Sequence, residues 1–75
     1  MAFSWQIRLR RRGELEPQFV ETREEERKPQ LQEIIRVGLR EGPAIPAKIV
    51  HFVYVPPTVF GGKGTYRITA NEVEQ

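Results

Sequence analysis

Apolar and polar residues alternate along the beginning of the chain. Trp5, Ile7 and Leu9 are each separated by one polar residue, and this period of two is typical of a strand with one buried face. The residues between and after them include Arg8 and Arg10, so the other face of the strand is basic. The pattern predicts a first β-strand with a core-facing side and a positively charged side.

A loop and a weaker second strand follow the first strand. Residues 13–17 begin with glycine and end with proline, which predicts a turn or short loop, and residues 18–22 can form a short strand. If this strand pairs with the first one as a hairpin, glutamates come close to the arginines. The sequence leaves open whether those glutamates cover the basic face or leave it exposed. The glutamates concerned are Glu14, Glu16 and Glu21.

Apolar residues recur at helical spacing in the middle of the chain. Pro29 suits the first turn of a helix because its fixed φ fits there and its missing N–H is not needed. Gly42 followed by Pro43 is a strong signal for a helix end. We therefore predict one helix over residues 29–41. Its apolar stripe consists of Leu31, Ile34, Ile35 and Leu39.

Two further strands are predicted in the second half of the chain. Residues 48–55 are apolar on both alternating sets of positions, which is typical of a central strand or of one covered on both faces. Residues 56–64 are rich in proline and glycine and predict a loop. Residues 65–70 predict a last strand, and the polar tail from residue 71 is expected to fray.

The order of these elements is β-(β)-α-β-β. It predicts an α+β fold in which a small antiparallel sheet of three or four strands carries one helix on one face. A chain of 75 residues is long enough for one small domain, residues 1–75, and too short for two. Since one helix covers only one face, the apolar strand 48–55 needs further cover. A homodimer, a bound partner, or the protein's own loops and long side chains can provide it.

The composition argues against catalysis. The chain contains no cysteine and no aspartate, and it has a single serine, Ser4, and a single histidine, His51. Ser4 is predicted on an exposed strand face and His51 inside an apolar strand, so nothing brings them together as a nucleophile and its base. We therefore expect a protein that is not an enzyme and uses no cofactor or metal ion. His51 is expected to be a core or interface histidine.

The expected location is the cytoplasm. A chain without cysteine is compatible with a reducing compartment, and the alternating N-terminal pattern is unlike that of a secretory signal. The longest apolar stretch, residues 49–55, is far shorter than the roughly 20 residues that a membrane-spanning helix needs. We expect a soluble protein without a membrane partner.

The net charge of +2 conceals a strong local separation of charge. Residues 1–13 carry +4 and residues 14–26 carry −5. Alternate residues of a strand point the same way about 6.6 Å apart, so the arginines of the first strand form a basic stripe whose planar guanidinium groups suit phosphates. This indicates a nucleic-acid-binding surface. Its candidate phosphate contacts are Arg8, Arg10, Arg12, Lys63 and Arg67, with Arg36 and Arg40 of the predicted helix as further cations, and its candidate stacking aromatics are Tyr54, Phe60 and Tyr66.

A second interpretation comes from the loop at residues 56–64. Its glycines and Lys63 resemble a phosphate loop, but Pro57 stands where the first glycine of that motif is required, and a strand follows instead of a helix. Val59 and Phe60 at the tip of a flexible loop cost up to about 2 kcal/mol each when left in water. They either fold back onto the core or bind a partner. The alternative function is therefore a protein-interaction module, or a small regulator or inhibitor, that uses this loop and an exposed sheet face.

Overall fold

The computed structural model describes residues 2–39, 42–58 and 60–73. These residues form strands and contain no helix, so no helix long and apolar enough to cross a membrane occurs among them. The fold is all-β, and the predicted α+β class is wrong. The strands are β1 (Phe3–Arg10), β2 (Gln18–Glu25), β3 (Ile34–Val37), β4 (Ile45–Val55) and β5 (Thr65–Glu72).

All five strands belong to one mixed sheet in the order β2-β1-β5-β4-β3. The central neighbours β1 and β5 run parallel, and the other three neighbouring pairs are antiparallel. The sheet curls into a half-barrel, with its core on the concave face. The predicted antiparallel sheet of three or four strands is therefore wrong in both strand number and strand direction.

A strand stands where the helix over residues 29–41 is predicted. All four residues of β3 pair with β4; Ile35 and Val37 are buried, whereas Ile34 is exposed. The same apolar residues fit a helical stripe and an alternating strand, and the β-branched isoleucines and valine favour the strand. Pairing with β4 therefore decides the structure of this segment.

The proline and the glycine that predicted the two ends of the helix lie in the connections between strands instead. Pro29 is buried in the connection between β2 and β3, and Gln32 has a φ of 69°, which no residue inside a right-handed helix adopts. Gly42 has a φ of 88° and precedes β4. Residues 40–41 of the predicted helix lie outside the described residues. Gly42 thus adopts a left-handed conformation, which glycine does readily, but it does not end a helix.

The core combines inward-facing side chains of four strands. The predicted facing of the first strand is confirmed, because Trp5, Ile7 and Leu9 are all buried. Phe3 and Val20 pack against the cluster from partly buried positions. Among the described residues, the buried core residues are Trp5, Ile7, Leu9, Ile35, Val37, Ala47, Ile49, Tyr66, Ile68 and Ala70.

A β-bulge in β4 changes which residues face the core. Ile49 pairs with Ala70 and His51 with Thr69, so Val50 is an extra residue that reverses the alternation. Strict alternation along residues 48–55 therefore predicts the wrong faces. The outer face retains exposed apolar side chains that a second copy of the chain could cover. The homodimer stays a prediction. These side chains are Phe19, Ile34, Val50 and Val53.

The connection between β2 and β3 covers the core beside Trp5. The indole Nε1 donates a hydrogen bond to the Arg27 carbonyl oxygen at 3.2 Å, and the Arg27 guanidinium lies 5.0 Å from the centre of the Trp5 ring. Arg27 also forms two hydrogen bonds to the Glu33 carboxylate. A loop held by these contacts provides part of the cover that the sequence assigns to a helix.

Candidate nucleic-acid interface

Exposed cations gather on the convex face of the sheet. β1 contributes Arg8 and Arg10, its parallel neighbour β5 contributes Arg67, and β4 contributes Lys48. Arg8, Lys48 and Arg67 each lie between two buried residues, Arg10 follows the buried Leu9 at the end of β1, and all four are exposed. We call these four residues the basic patch. Four side chains from three adjacent strands thus present positive charge to the same side of the molecule.

The strand register sets the spacing of the basic patch. Arg10 and Lys48 both pair with Asn71, on opposite sides of β5, and Arg67 pairs with Gln6 two positions before Arg8. Neighbouring strands lie about 4.8 Å apart, and alternate residues along a strand about 6.6 Å apart. The four backbone positions therefore span roughly 10 Å across the strands and 13 Å along them.

The glutamates near β1 leave the basic patch uncovered. Glu14 accepts a hydrogen bond from the Arg11 backbone N–H, and Glu21 pairs with Arg23 toward the concave side. In residues 2–39, 42–58 and 60–73, no carboxylate forms an ion pair with a member of the patch. Arg10 Nε donates instead to the neutral Asn71 Oδ1 at 3.1 Å. Among the described residues, Arg8 and Arg10 are therefore not paired with the glutamates of the β1–β2 hairpin.

Among the described strand residues that face outward, Glu24 is the one with a carboxylate side chain. It forms an ion pair with Lys63. The remaining β2 glutamates, Glu21 and Glu25, occupy positions opposite the inward-facing Ile7 and Phe3. The fold therefore separates acidic from basic side chains although both occur close together in the sequence.

The arginine stripe ends with Arg10, and the next two arginines belong to the β1–β2 turn. Arg11 Nε lies 3.2 Å from Glu72 Oε1, and the Arg12 backbone N–H donates to the same oxygen at 3.3 Å. The Arg12 N–H, followed by the Arg11 guanidinium, holds the pKa of the Glu72 carboxyl below its usual range. Arg12 therefore lies at the end of the patch and does not extend it along the strand.

Two other predicted contact residues, Lys63 and Phe60, lie in the loop that precedes β5. The Gly64 carbonyl oxygen accepts a hydrogen bond from the Ser4 N–H at 3.0 Å, so loop 56–64 adjoins the beginning of β1. Lys63 forms an ion pair with Glu24, and Phe60 is fully exposed at the loop tip. Val59 lies outside the described residues. The predicted site is thus divided between two ends of the molecule.

The predicted stacking tyrosines face the concave side. Tyr66 is buried, and its ring centre lies 5.3 Å from that of Phe3, 5.8 Å from that of Phe52 and 5.0 Å from that of Tyr54. Such edge-on and tilted contacts are typical of packed aromatic rings. Tyr66 therefore belongs to the core, and Tyr54 extends that aromatic cluster toward solvent.

The sequence interpretation missed two residues of the convex face. Lys48 stands between the buried Ala47 and Ile49, and this local alternation was sufficient to place it outward. Phe19 is 60% exposed and pairs with Arg8, but a bulge in β2 determines its direction, and no local pattern marks that bulge. Arg36 also faces outward, where its guanidinium donates to the Ala44 carbonyl oxygen at 3.4 Å. Arg40 lies outside the described residues.

His51 does not belong to the core. It is exposed on the convex face and pairs with Thr69, whose neighbour on the other side is Arg8. The core position expected for His51 is therefore wrong because of the bulge at Val50, and the interface position stays a prediction. Within the described parts of the chain, no three histidine or glutamate side chains converge as a metal site would require.

Comparisons of this chain with protein-family models, with curated proteins and with solved structures find no match. The convex face must therefore be interpreted from its own chemistry. Guanidinium and ammonium groups there can donate hydrogen bonds to several acceptor oxygens at once, and they can attract a polyanion from solution.

Proposed function

We propose that the protein binds nucleic acid through the basic patch and catalyses no reaction. The supporting observation is that Arg8, Lys48 and Arg67 have no carboxylate partner among the described residues, while the nearby glutamates are turned elsewhere. Cations spread over three strands match a partner that carries many negative charges. Nucleic acid is such a partner, and it would be met in the cytoplasm that the sequence predicts.

The chemistry of this binding is contact with phosphates. Each lysine or arginine that neutralises a phosphate releases condensed counterions, so the affinity falls as salt concentration rises. Arginine adds directional, paired hydrogen bonds to phosphate oxygens. Contacts of this kind fix the position of the nucleic acid without identifying its bases. We therefore expect binding with little preference for sequence.

The test is a titration of labelled random-sequence oligonucleotides, followed by fluorescence anisotropy at about 50 mM salt. The double variant Arg8→Ala/Arg67→Ala removes two charges from the patch. The matched control, Lys28→Ala/Lys63→Ala, removes two exposed charges outside it. We expect the patch variant to lose about tenfold or more in affinity, because each lost contact is a charge-assisted hydrogen bond. The control should stay within about twofold of the unmodified protein.

Two results contradict this proposal. The first is the absence of binding by the unmodified protein even at low salt. The second is an equal loss in the patch variant and in the control, because that would reflect net charge and not a surface defined by Arg8 and Arg67. Melting temperatures of both variants show whether they remain folded.

A second candidate function is the binding of a larger protein by loop 56–64. The observation that favours it is Phe60, a large apolar side chain left fully exposed at the tip of that loop. Phe60→Ser should abolish such an interaction and leave oligonucleotide binding unchanged, because the loop adjoins the beginning of β1, whereas Arg8 and Arg10 lie in the second half of that strand. Loss of oligonucleotide binding in Phe60→Ser would contradict this separation of the two surfaces.

A further inference from the structure

Two bulges turn ring-bearing side chains toward the basic patch. In β2, Glu21, Arg23 and Glu25 occupy inward-facing positions, and strict alternation would place Phe19 inward as well. The bulge inserts Val20, which packs toward the core, and Phe19 then faces outward beside Arg8. Bulges are a known means of redirecting a side chain at a functional surface.

The bulge in β4 has the same effect on His51. Strict alternation from the buried Ile49 would place His51 inward, and the inserted Val50 places it outward. The two bulges are aligned, because Phe19 pairs with Arg8, Arg8 with Thr69, and Thr69 with His51. We call Phe19, Arg8, Thr69 and His51 the ring row.

The ring row crosses four strands and has a ring at each end. Its backbone positions span about 14 Å, which is three strand spacings. The remaining members of the basic patch lie on both sides of the row, with Arg10 and Lys48 on one side and Arg67 on the other. The two rings are therefore embedded among the groups proposed to contact phosphates.

We infer that the ligand is a single-stranded nucleic acid that crosses the strands along the ring row, with bases stacked on Phe19 and His51. This inference rests on the proposed function and names its substrate class. Every base has a π-face, so stacking on aromatic side chains is compatible with any sequence. The exposed Phe19 ring thereby gains an apolar partner, and the flanking cations hold the phosphates.

Duplex nucleic acid fits this surface less well. The bases of a duplex are already stacked on one another, which leaves no free base for Phe19 or His51. A five-stranded sheet is about 19 Å wide, whereas the major groove of B-form DNA is about 12 Å wide and admits two strands of a sheet. The convex face can therefore contact a duplex only along its phosphates.

The test compares Phe19→Ala with Phe60→Ala. The second variant removes the same kind of exposed aromatic ring, but outside the ring row. Both are titrated with a labelled random-sequence single strand and with the corresponding duplex. Phe19→Ala should weaken single-strand binding about tenfold and duplex binding less than about twofold. Its salt dependence should be unchanged, because no charge is lost. Phe60→Ala should bind both forms like the unmodified protein.

A spectroscopic variant adds a direct readout of stacking. Phe19→Trp preserves the ring and should retain single-strand affinity, and its added fluorescence should be quenched when the single strand binds. Phe60→Trp should show no such quenching. Because positions 19 and 60 are both exposed, neither substitution removes a core contact.

The outcomes separate this inference from the proposed function. If Phe19→Ala binds the single strand normally while Arg8→Ala/Arg67→Ala has lost binding, the proposed function stands and the ring row is not its site. If the unmodified protein prefers the duplex, single-strand specificity is overturned. If it binds neither form, the proposed function and this inference both fail.

Discussion

Gly64 is a residue at which the fold has no room for a side chain. A Cβ added there would collide with the ring and hydroxyl of Tyr54. Gly64→Ala should therefore destabilise the protein by about 1–3 kcal/mol, because Tyr54 must move away from its packing against Tyr66. Urea denaturation measures the difference in unfolding free energy.

Gly38→Ala is the matched control for that substitution. Its Cβ would meet only Glu21 Oε2 at 3.5 Å, an ordinary contact distance. We expect a neutral effect or a stabilisation of about 0.4–1 kcal/mol, because alanine restricts the unfolded chain. If both glycine variants lost the same stability, the steric account of Gly64 would be contradicted.

Trp5 is the largest of the fully buried side chains. Trp5→Ala should cost about 3–5 kcal/mol, since it opens a cavity in the core. Trp5→Phe keeps most of the apolar volume and loses the hydrogen bond to the Arg27 carbonyl oxygen, so its cost should be smaller. Thermal unfolding checks both variants, and an unchanged melting temperature for Trp5→Ala would contradict the observed facing of β1.

Whether the direction of a side chain could be predicted depended on whether it is determined within its own strand or by a partner strand. The burial of Trp5, Ile7 and Leu9 followed from alternation within β1. The outward direction of Phe19 and His51 could not be predicted, because each depends on a bulge whose position is set by the partner strand. The core position considered for His51 was wrong for this reason.

At the level of elements, the connection between β2 and β3 makes stability depend on pH. Hydrogen bonds from the Arg27 guanidinium hold the pKa of the Glu33 carboxyl below its usual value of 4.5. A carboxyl with a depressed pKa stabilises the fold above its unfolded-state pKa, and this contribution is lost as pH falls through the folded-state value. The pair should therefore act fully at neutral pH and weaken below about pH 4.5.

Glu33→Gln tests this contribution. At pH 7 the variant should be less stable by about 0.5–1 kcal/mol, a range appropriate to a pair in which Arg27 is half exposed. Its stability should also decline less than that of the unmodified protein between pH 5 and pH 3. Urea denaturation across this range measures both quantities, and parallel declines would contradict the assigned role of Glu33.

The failure of the helix prediction also belongs to the scale of elements. The spacing of Ile34, Ile35 and Leu39 fits a helix, and Ile35 with Val37 fits a strand equally well. The deciding contacts are the ladder between β3 and β4, which joins Ile35 to Ala47 and Val37 to Ile45. Those partners lie beyond the segment itself, so its own pattern could not choose between the two structures.

For the whole molecule, the parallel pairing of β1 with β5 creates the candidate site. It brings Arg67 beside the first strand although the two are far apart in the sequence. The sequence predicted Arg8, Arg10 and Arg67 as candidate contacts, the first two from alternation along the first strand and Arg67 from its charge. The sequence could not place these arginines side by side, because it predicted an antiparallel sheet. It also could not exclude Lys63 from the site, because that depends on the ion pair between Lys63 and Glu24.

The salt dependence of binding tests the central claim most directly. For a single strand, the slope of log affinity against log salt changes by about 0.7 for each phosphate contact. Between about 50 and 200 mM salt, Arg8→Ala/Arg67→Ala should therefore show a slope shallower by about 1.4, and Lys28→Ala/Lys63→Ala should match the unmodified protein. An unchanged slope in the patch variant, or no binding at about 50 mM salt, would contradict phosphate recognition by the convex face.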